Sequence, residues 1–211
     1  MKHRIIESNG IKMHFVEQGD GPLVVFCHGF PELWYSWRHQ LTALAAAGYH
    51  AVAPDQRGYG QTDRPEAIED YHVFQLAGDV VGLVDALGKE QAVIVGHGWG
   101  AAVAWHCALV RPDLFSAVVL LSVPYLQRSW ADPRPTEQMK HLAGDGHFYQ
   151  LYFQKPGRAE AELEADVRKS MSMLLYSASG DPRPKSAGVS CSTNRRRSSI
   201  PVWYRSVFRR G

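Results

Sequence analysis

Short apolar runs rich in β-branched residues alternate with helical patterns along the first 124 residues of the chain. A continuous apolar run such as Leu23–Cys27 is typical of a strand that is buried on both faces. Strands that alternate with helices indicate an α/β protein with a mostly parallel sheet. The pattern predicts strands at residues 4–7, 11–16, 23–27, 50–53, 91–95 and 117–123, and helices at residues 34–47, 73–87 and 100–110.

The alternation stops after Pro124, and the chain is expected to divide there. Residues 1–124 are interpreted as the core, and residues 125–182 as a partial helical cap whose clearest amphipathic stretch is Ala159–Leu175. Residues 183–211 carry eight Lys or Arg and no Asp or Glu, whereas the preceding 182 residues hold 15 basic and 21 acidic residues. The formal net charge of +2 is therefore an average over an acidic body of −6 and a basic tail of +8.

The arginine-rich tail permits more than one interpretation. Clustered arginines such as Arg195–Arg197 neutralise phosphates. No aromatic and basic platform accompanies them, so a nucleic-acid partner is not expected. The segment is better explained as a tail that is disordered or foreign to the fold, of the kind that a frameshift produces.

Neither secretion nor membrane insertion is indicated by the sequence. The N-terminus has no apolar region of the signal-peptide type, and no apolar stretch is long enough to span a bilayer. The three cysteines, Cys27, Cys107 and Cys191, are widely spaced without a CxxC pair, which disfavours a disulfide framework and a zinc site. We therefore expect a cytoplasmic protein without a membrane partner or a bound metal.

The sharpest chemical signal is the pentapeptide Gly96-His97-Gly98-Trp99-Gly100, which follows a buried strand and opens a helix. Glycines two positions before and after a central residue permit the strained strand-to-helix turn called the nucleophile elbow. The turn normally presents Ser, Cys or Asp at its centre. Here the central residue is Gly98, which has no side chain and cannot attack a substrate.

Several motifs share their order and spacing with one enzyme family. The chain closely resembles the soluble epoxide hydrolases of the α/β-hydrolase superfamily over residues 3–180. The resemblance implies an α/β-hydrolase fold, with a mostly parallel sheet flanked by helices and a partial helical cap. The motifs are His28-Gly29-Phe30-Pro31-Glu32, Trp34-Tyr35-Ser36-Trp37-Arg38, Asp55-Gln56-Arg57-Gly58-Tyr59-Gly60, the elbow, Tyr149-Gln150-Leu151-Tyr152-Phe153-Gln154 and the segment Glu160–Val167.

The resemblance assigns roles to four residues around the elbow. In the family, an Asp at the position of Gly98 attacks an epoxide carbon. Backbone N–H groups at the positions of Phe30 and Trp99 stabilise the oxyanion that forms when the resulting ester is hydrolysed. Pro31 lies in the tight turn that aims the first of these donors, and we expect it to border the substrate.

The resemblance also implies substrate contacts outside the elbow. Tyr149 matches a cap tyrosine that hydrogen-bonds the epoxide oxygen and helps it to leave as an alcohol, and Gln150 beside it is expected to contact the substrate. Tyr204 is a candidate remnant of the family's second cap tyrosine, which gives the basic tail a further interpretation. The implied reaction converts a small apolar epoxide to a vicinal diol and needs water but no metal or organic cofactor.

Two departures from the family pattern predict that this chain has very low activity or none. Gly98 supplies no nucleophile, although glycine adopts the strained elbow backbone without steric cost and should leave the turn intact. The family's base histidine follows the last strands, but the last histidine here is His147. The sheet is therefore expected to be incomplete at its C-terminal side, with an exposed strand near residues 117–123.

Two other functions remain open. A non-catalytic relative could keep the oxyanion loop and the cap tyrosine as a pocket for small apolar ligands. A haloalkane dehalogenase relative would share the same loop and elbow, but that family holds halide chiefly through indole N–H groups, and Tyr149 argues against it. His28, His97 and Asp55 are interpreted as residues that hold loops in place.

Overall fold

The computed structural model describes residues 1–127, 133–143 and 149–179. Within these ranges six strands form one sheet with the order β1-β2-β4-β3-β5-β6. β1, β2 and β4 pair antiparallel, whereas β4, β3, β5 and β6 pair parallel, which confirms the predicted α/β architecture. The strands are β1 (Lys2–Ser8), β2 (Ile11–Gln18), β3 (Leu23–Cys27), β4 (His50–Pro54), β5 (Ala92–His97) and β6 (Phe115–Leu121).

The first two strands form a hairpin across the turn Asn9-Gly10. Ser8 pairs with Ile11, so the loop consists of Asn9 and Gly10 alone. Both loop residues have positive φ, 48° and 78°. Two-residue hairpin loops favour Asn-Gly because this turn needs positive φ at both central residues.

The hydrophobic core lies on both faces of the central strand β3, all five residues of which are buried. Val25 and Cys27 belong to a cluster that also contains Leu83 and Val103 of the helices on one face. Val24 and Phe26 point to the other face and belong to a second cluster with Trp37 and Leu41. Successive strand residues point to opposite faces, which explains the continuous apolar run in the sequence. The α-helices of this sheet are α1 (Arg38–Ala46), α2 (Val73–Ala86) and α3 (Trp99–Val110).

The chain divides into two compact units, Met1–Gln127 and Arg128–Gly211. The amphipathic stretch expected at residues 159–175 is not one helix, because Asp166 caps a new helix by accepting a hydrogen bond from the Lys169 N–H at 3.0 Å. The described part of the second unit consists of α4 (Pro135–Ala143), α5 (Tyr149–Phe153), α6 (Arg158–Leu163) and α7 (Val167–Ala178).

Most element boundaries in the first unit shift by one or two residues from the sequence prediction, and two of the differences have a clear structural form. The helix expected at residues 34–47 begins as a 3₁₀ turn, Trp34–Trp37, before α1. β6 ends at Leu121 because Ser122 has a φ of 72° and leaves the extended conformation. Tyr204 and the rest of the basic tail lie outside the described residues. Among the described helices none is long and apolar enough to cross a membrane.

Candidate active site

The elbow lies where β5 ends and α3 begins. Gly98 has φ 56° and ψ −121°, a backbone conformation that residues with a side chain rarely adopt. Its N–H donates to the Leu121 carbonyl at 3.1 Å, and its own carbonyl accepts from the Ala101 N–H at 3.1 Å. The strained turn predicted from the glycine spacing is therefore present, and hydrogen bonds on both sides hold it.

The two flanking glycines are required by close backbone packing, whereas the central position has room for a side chain. A Cβ on Gly96 would overlap the carbonyl oxygen of Gly100, and a Cβ on Gly100 would overlap that of Cys27. A Cβ on Gly98 would meet only the Cα of Gly29, at 3.7 Å, which is ordinary van der Waals contact. The elbow thus has room for a side chain at residue 98, although its backbone conformation would be strained by one.

The loop after β3 approaches the elbow and is tied to it by one carboxylate. Glu32 accepts hydrogen bonds from the Gly29 N–H at 3.0 Å and from the His97 ring at 3.0 Å. His97 directly precedes the central elbow residue, so Glu32 connects the loop after β3 to the elbow. The loop also contains Phe30 and Pro31, which are joined by a cis peptide bond. The side chain of His97 thus takes part in a structural contact between the loop and the elbow, which agrees with its interpretation as a residue that holds a loop in place.

His28 is buried beneath this loop, and its two ring nitrogens are both used. Nδ1 donates to the Gly29 carbonyl at 2.8 Å, and Nε2 accepts from the Gln56 N–H at 3.0 Å. The partners fix the neutral tautomer, since a carbonyl only accepts and an amide N–H only donates. Burial lowers the pKa of His28. The residue therefore supports the loop and is not a base available to a substrate.

Asp55 organises a second loop next to the first. It is buried and accepts from the Trp34 N–H at 3.1 Å, the Gln61 N–H at 3.2 Å and the His14 ring at 2.8 Å. Trp34 follows the loop of Phe30 and Pro31, so the carboxylate fixes the exit of that loop. The structural interpretation of Asp55 is consistent with these contacts.

A buried ion pair anchors the same loop to α2. Arg57 donates to Asp79 from Nε at 2.8 Å and from Nη2 at 2.6 Å, and both side chains are at least 96% buried. Asn9 adds a third hydrogen bond to the carboxylate at 2.9 Å. Two parallel hydrogen bonds give such a pair a defined geometry. The loop that begins at Asp55 is therefore rigidly attached to α2 and to the β1–β2 hairpin.

Sequence reasoning assigns no role to Glu32, His14 or Asp79. Glu32 lies within a recognisable motif, but the sequence alone does not show that it contacts His97, which lies 65 residues away. The signal for Asp79 is visible, because an acidic residue in the apolar pattern of α2 must find a buried partner. That partner, Arg57, lies 22 residues away in the sequence.

Phe30 and Trp99, the residues with the expected oxyanion donors, belong to the two segments that Glu32 connects. Trp99 is the first residue of α3, and the N–H groups of a first helical turn have no acceptor within their helix. The side chains of Phe30 and Trp99 are 38% and 47% exposed. Pro31 follows Phe30 in the loop after β3, and Gly98 precedes Trp99 in the elbow.

The cap residues expected to contact substrate are described within the second unit. Tyr149 begins α5, and its hydroxyl oxygen accepts a hydrogen bond from the Gln150 side chain at 3.2 Å. The Tyr149 ring also packs edge-on against Phe153, with ring centroids 5.7 Å apart. Gln150 is thus a direct partner of the tyrosine. Among the described residues no group of three or more His, Cys, Asp or Glu side chains could hold a metal ion.

Comparisons with known proteins agree on one family. The family model of the α/β hydrolase fold matches residues 22–180. Epoxide hydrolase A of Mycobacterium tuberculosis is 51% identical over 174 residues, which is 82% of this chain and 53% of that protein. Epoxide hydrolase 2 of Siraitia grosvenorii is 47% identical over 185 residues, or 87% of this chain and 57% of that protein.

Solved structures show the same relationship. A crystal structure of an epoxide hydrolase from Vigna radiata has a TM-score of 0.78 and 50% identity, covering 82% of this chain and 56% of that one. Epoxide hydrolase A from Mycobacterium thermoresistibile has a TM-score of 0.80 and 50% identity, covering 86% and 57%. The chain spans little more than half the length of these relatives. It belongs to the α/β-hydrolase fold family, and its similarity within that family is to epoxide hydrolases.

Proposed function

We propose that this chain keeps the epoxide-binding surface of an epoxide hydrolase, with small apolar epoxides as its ligand class, but does not form the covalent intermediate. The similarity to proteins named epoxide hydrolases supports the ligand class. The observation that carries the proposal is the elbow itself, which is folded and has room for a side chain at Gly98, where none is present.

The first covalent bond to the epoxide is the step that this chain lacks. A carboxylate oxygen at position 98 would bond to an epoxide carbon, the ring C–O bond would break, and the oxygen would take a proton from an acid, the role that the resemblance gives to Tyr149. A base would then take a proton from water, the hydroxide would add to the ester carbonyl with the N–H groups of Phe30 and Trp99 stabilising the oxyanion, and the base would return the proton to the departing alkoxide, releasing the diol and the carboxylate. The resemblance assigns this base to a histidine after the last strands, and no histidine follows His147 here. Gly98 supplies no oxygen for the first bond. Loss of a catalytic nucleophile lowers kcat by about 10⁶-fold in a serine protease, so turnover should be undetectable.

Intact-protein mass spectrometry after incubation with styrene oxide tests the proposal. We expect no specific adduct on the chain itself and one added epoxide mass on Gly98→Asp, located to residue 98 by peptide mapping. Gly98→Asn is the matched control, because it has the same size and backbone strain but no carboxylate. Diol formation by the unmodified chain above that of the Asn variant would refute the proposal, as would a folded Asp variant without adduct.

Ligand binding is tested separately from chemistry. We expect an amide or urea mimic of the opening epoxide to raise the melting temperature of the unmodified chain and to give measurable heat in calorimetry. Tyr149→Phe should weaken this binding, since the resemblance assigns the phenol to the epoxide oxygen. Absence of both heat and thermal shift would leave the binding surface without support.

We also propose a cytoplasmic location. Cys27 and Cys107 are buried and free, and burial raises the pKa of the Cys27 thiol to about 12. Inert buried thiols suit a reducing compartment. Fractionation of the source cells with an antibody to the chain would show whether it accompanies cytoplasmic markers.

A further inference from the structure

Asn9, in the turn of the β1–β2 hairpin, is hydrogen-bonded to two other segments of the first unit. Its side-chain amide nitrogen donates to the Gln75 backbone carbonyl at 3.1 Å, to Gln75 Oε1 at 3.0 Å and to Asp79 Oδ1 at 2.9 Å. Its backbone carbonyl accepts from Arg57 Nη2 at 3.2 Å. One exposed residue thus joins the hairpin to α2 and to the loop that begins at Asp55.

The hairpin approaches α2 closely because the helix has glycine where the two meet. A Cβ on Gly78 would lie 2.9 Å from Asn9 Nδ2, and a Cβ on Gly82 would overlap Ser8 Oγ. Ser8 is buried and donates to the Asp79 backbone carbonyl at 2.8 Å. The carboxamide of Asn9 therefore has a fixed position, with its nitrogen directed to acceptors of the helix.

The dipeptide Asn9-Gly10 is also chemically reactive. When the Gly10 backbone nitrogen loses its proton to hydroxide, it can bond to Cγ of Asn9, and the carboxamide nitrogen takes a proton from water and leaves as ammonia. The product is a cyclic succinimide, which glycine favours because it has no Cβ to crowd the ring. Water then adds to either ring carbonyl and opens the ring, which leaves aspartate or isoaspartate at residue 9. The chain has two asparagines, Asn9 and Asn194, and only Asn9 precedes glycine.

The acidic product does not fit the place of the asparagine. A carboxylate only accepts hydrogen bonds, so the three contacts of the carboxamide nitrogen would be lost. The Gln75 side chain can turn its amide, but the Gln75 carbonyl and the Asp79 carboxylate have no hydrogen to donate. A carboxylate oxygen in place of Asn9 Nδ2 would lie 2.9 Å from Asp79 Oδ1. Like charges at this distance repel, and Arg57 already uses its hydrogen bonds on Asp79.

We propose that Asn9 is a deamidation site that packing of the hairpin against α2 protects. While the hairpin lies on the helix, the carboxamide cannot turn its Cγ toward the Gly10 nitrogen without losing its acceptors. When the hairpin leaves the helix, the reaction with Gly10 proceeds, and the new carboxylate keeps the hairpin from returning. The modification makes a reversible opening permanent and weakens the anchor of Arg57 in the neighbouring loop.

Peptide mapping by mass spectrometry in mildly alkaline buffer measures the conversion of residue 9 directly. Deamidation in the folded chain should be at least about tenfold slower than in a synthetic peptide of residues 5–14 or in the urea-unfolded chain, because hydrogen bonds of ordinary net strength must break first. Asn194 is the reference for an asparagine that does not precede glycine. Equal rates in the folded chain and the peptide, or no conversion of Asn9 in the unfolded chain, would overturn the proposal.

A pair of glutamine variants tests whether α2 provides the protection. Gln75→Ala removes one acceptor of the carboxamide and should speed deamidation of the folded chain about two- to tenfold, the effect of one hydrogen bond. Gln40→Ala is the matched control, because Gln40 is an exposed residue of α1, which packs on the opposite face of the sheet. Its deamidation rate should equal that of the unmodified chain. Equal rates in the two variants would contradict protection by α2.

The effect of the product is tested by placing the carboxylate directly. Asn9→Asp should lower the melting temperature, and Asp79→Asn added to it should restore much of the loss, because one carboxylate and one carboxamide again face Arg57. A double variant no more stable than Asn9→Asp would refute the repulsion.

A sample that is partly deamidated while unfolded and then refolded gives a second measurement if Asn9→Asp does not fold. The deamidated fraction should show faster hydrogen exchange over residues 2–18 than the Asn9 fraction of the same sample. Equal exchange in the two fractions would contradict the proposal, because the carboxylate would then not keep the hairpin from α2.

Discussion

The three elbow glycines should respond very differently to alanine, and this difference tests the claim that only the central position accepts a side chain. At Gly98 the new Cβ has only the Gly29 Cα within 4 Å, at 3.7 Å, so the cost is the strained backbone alone. Backbone strain of this kind costs about 1–3 kcal/mol. Gly96→Ala and Gly100→Ala add an overlap with backbone atoms that cannot rotate away. We expect each to cost more than about 4 kcal/mol or to prevent folding.

Urea unfolding monitored by circular dichroism would measure the series. Gly88→Ala is the control for positive φ without crowding, because Gly88 has φ 64° and an added Cβ there would meet nothing within 4 Å. Its cost should be about 1 kcal/mol, as for a left-handed residue that gains a Cβ. If Gly96→Ala or Gly100→Ala were as mild as Gly98→Ala, the elbow would not depend on close backbone approach and the reasoning would fail.

Three further predictions concern the supports of the site. The free energy of unfolding should fall as the pH drops below about 6.5, because burial lowers the pKa of His28 in the folded protein and the unfolded chain therefore binds the proton first. Urea unfolding between pH 8 and 5 should show a weaker pH dependence of this free energy for His28→Gln. Asp79→Ala should lower the free energy of unfolding by about 3–5 kcal/mol, since it leaves the Arg57 guanidinium buried without its partner. Replacing both Arg57 and Asp79 by Leu should recover much of that loss. Equal losses in the single and the double variant would contradict this prediction. Glu32→Ala should lower the melting temperature more than Glu32→Gln, which still offers Gly29 an acceptor; indistinguishable melting curves would show that this acceptor does not hold the loop.

The fold is accessible from the sequence wherever packing is periodic. The predicted and observed bounds of β3 coincide, because burial on both faces gives an uninterrupted apolar run. The Asn9-Gly10 turn is equally clear from its own backbone requirement. The interruption at Asp166 escapes prediction, because a helix cap competes with an amphipathic pattern that continues through it.

The site is predictable at its backbone and not at its side-chain contacts. The glycine spacing of the elbow has a local cause, so the turn follows from five consecutive residues. The bridge from Glu32 to His97 joins residues 65 apart, and the pair of Arg57 and Asp79 joins residues 22 apart. A single sequence does not show which polar residues that are distant in the chain are in contact. Such contacts require the strand order of the sheet.

The elbow shows why this chain can carry glycine at residue 98 and keep its fold. The turn depends on the close approach of Gly96 and Gly100 to neighbouring backbone atoms, and neither contact involves a side chain at position 98. Any residue with a Cβ would be strained there, so glycine is the least costly occupant for stability. A nucleophile at this position would therefore be held against the preference of the fold. Under the proposed function, glycine at this position removes the covalent step while Glu32 and His28 still hold the neighbouring loop, so that binding persists without turnover.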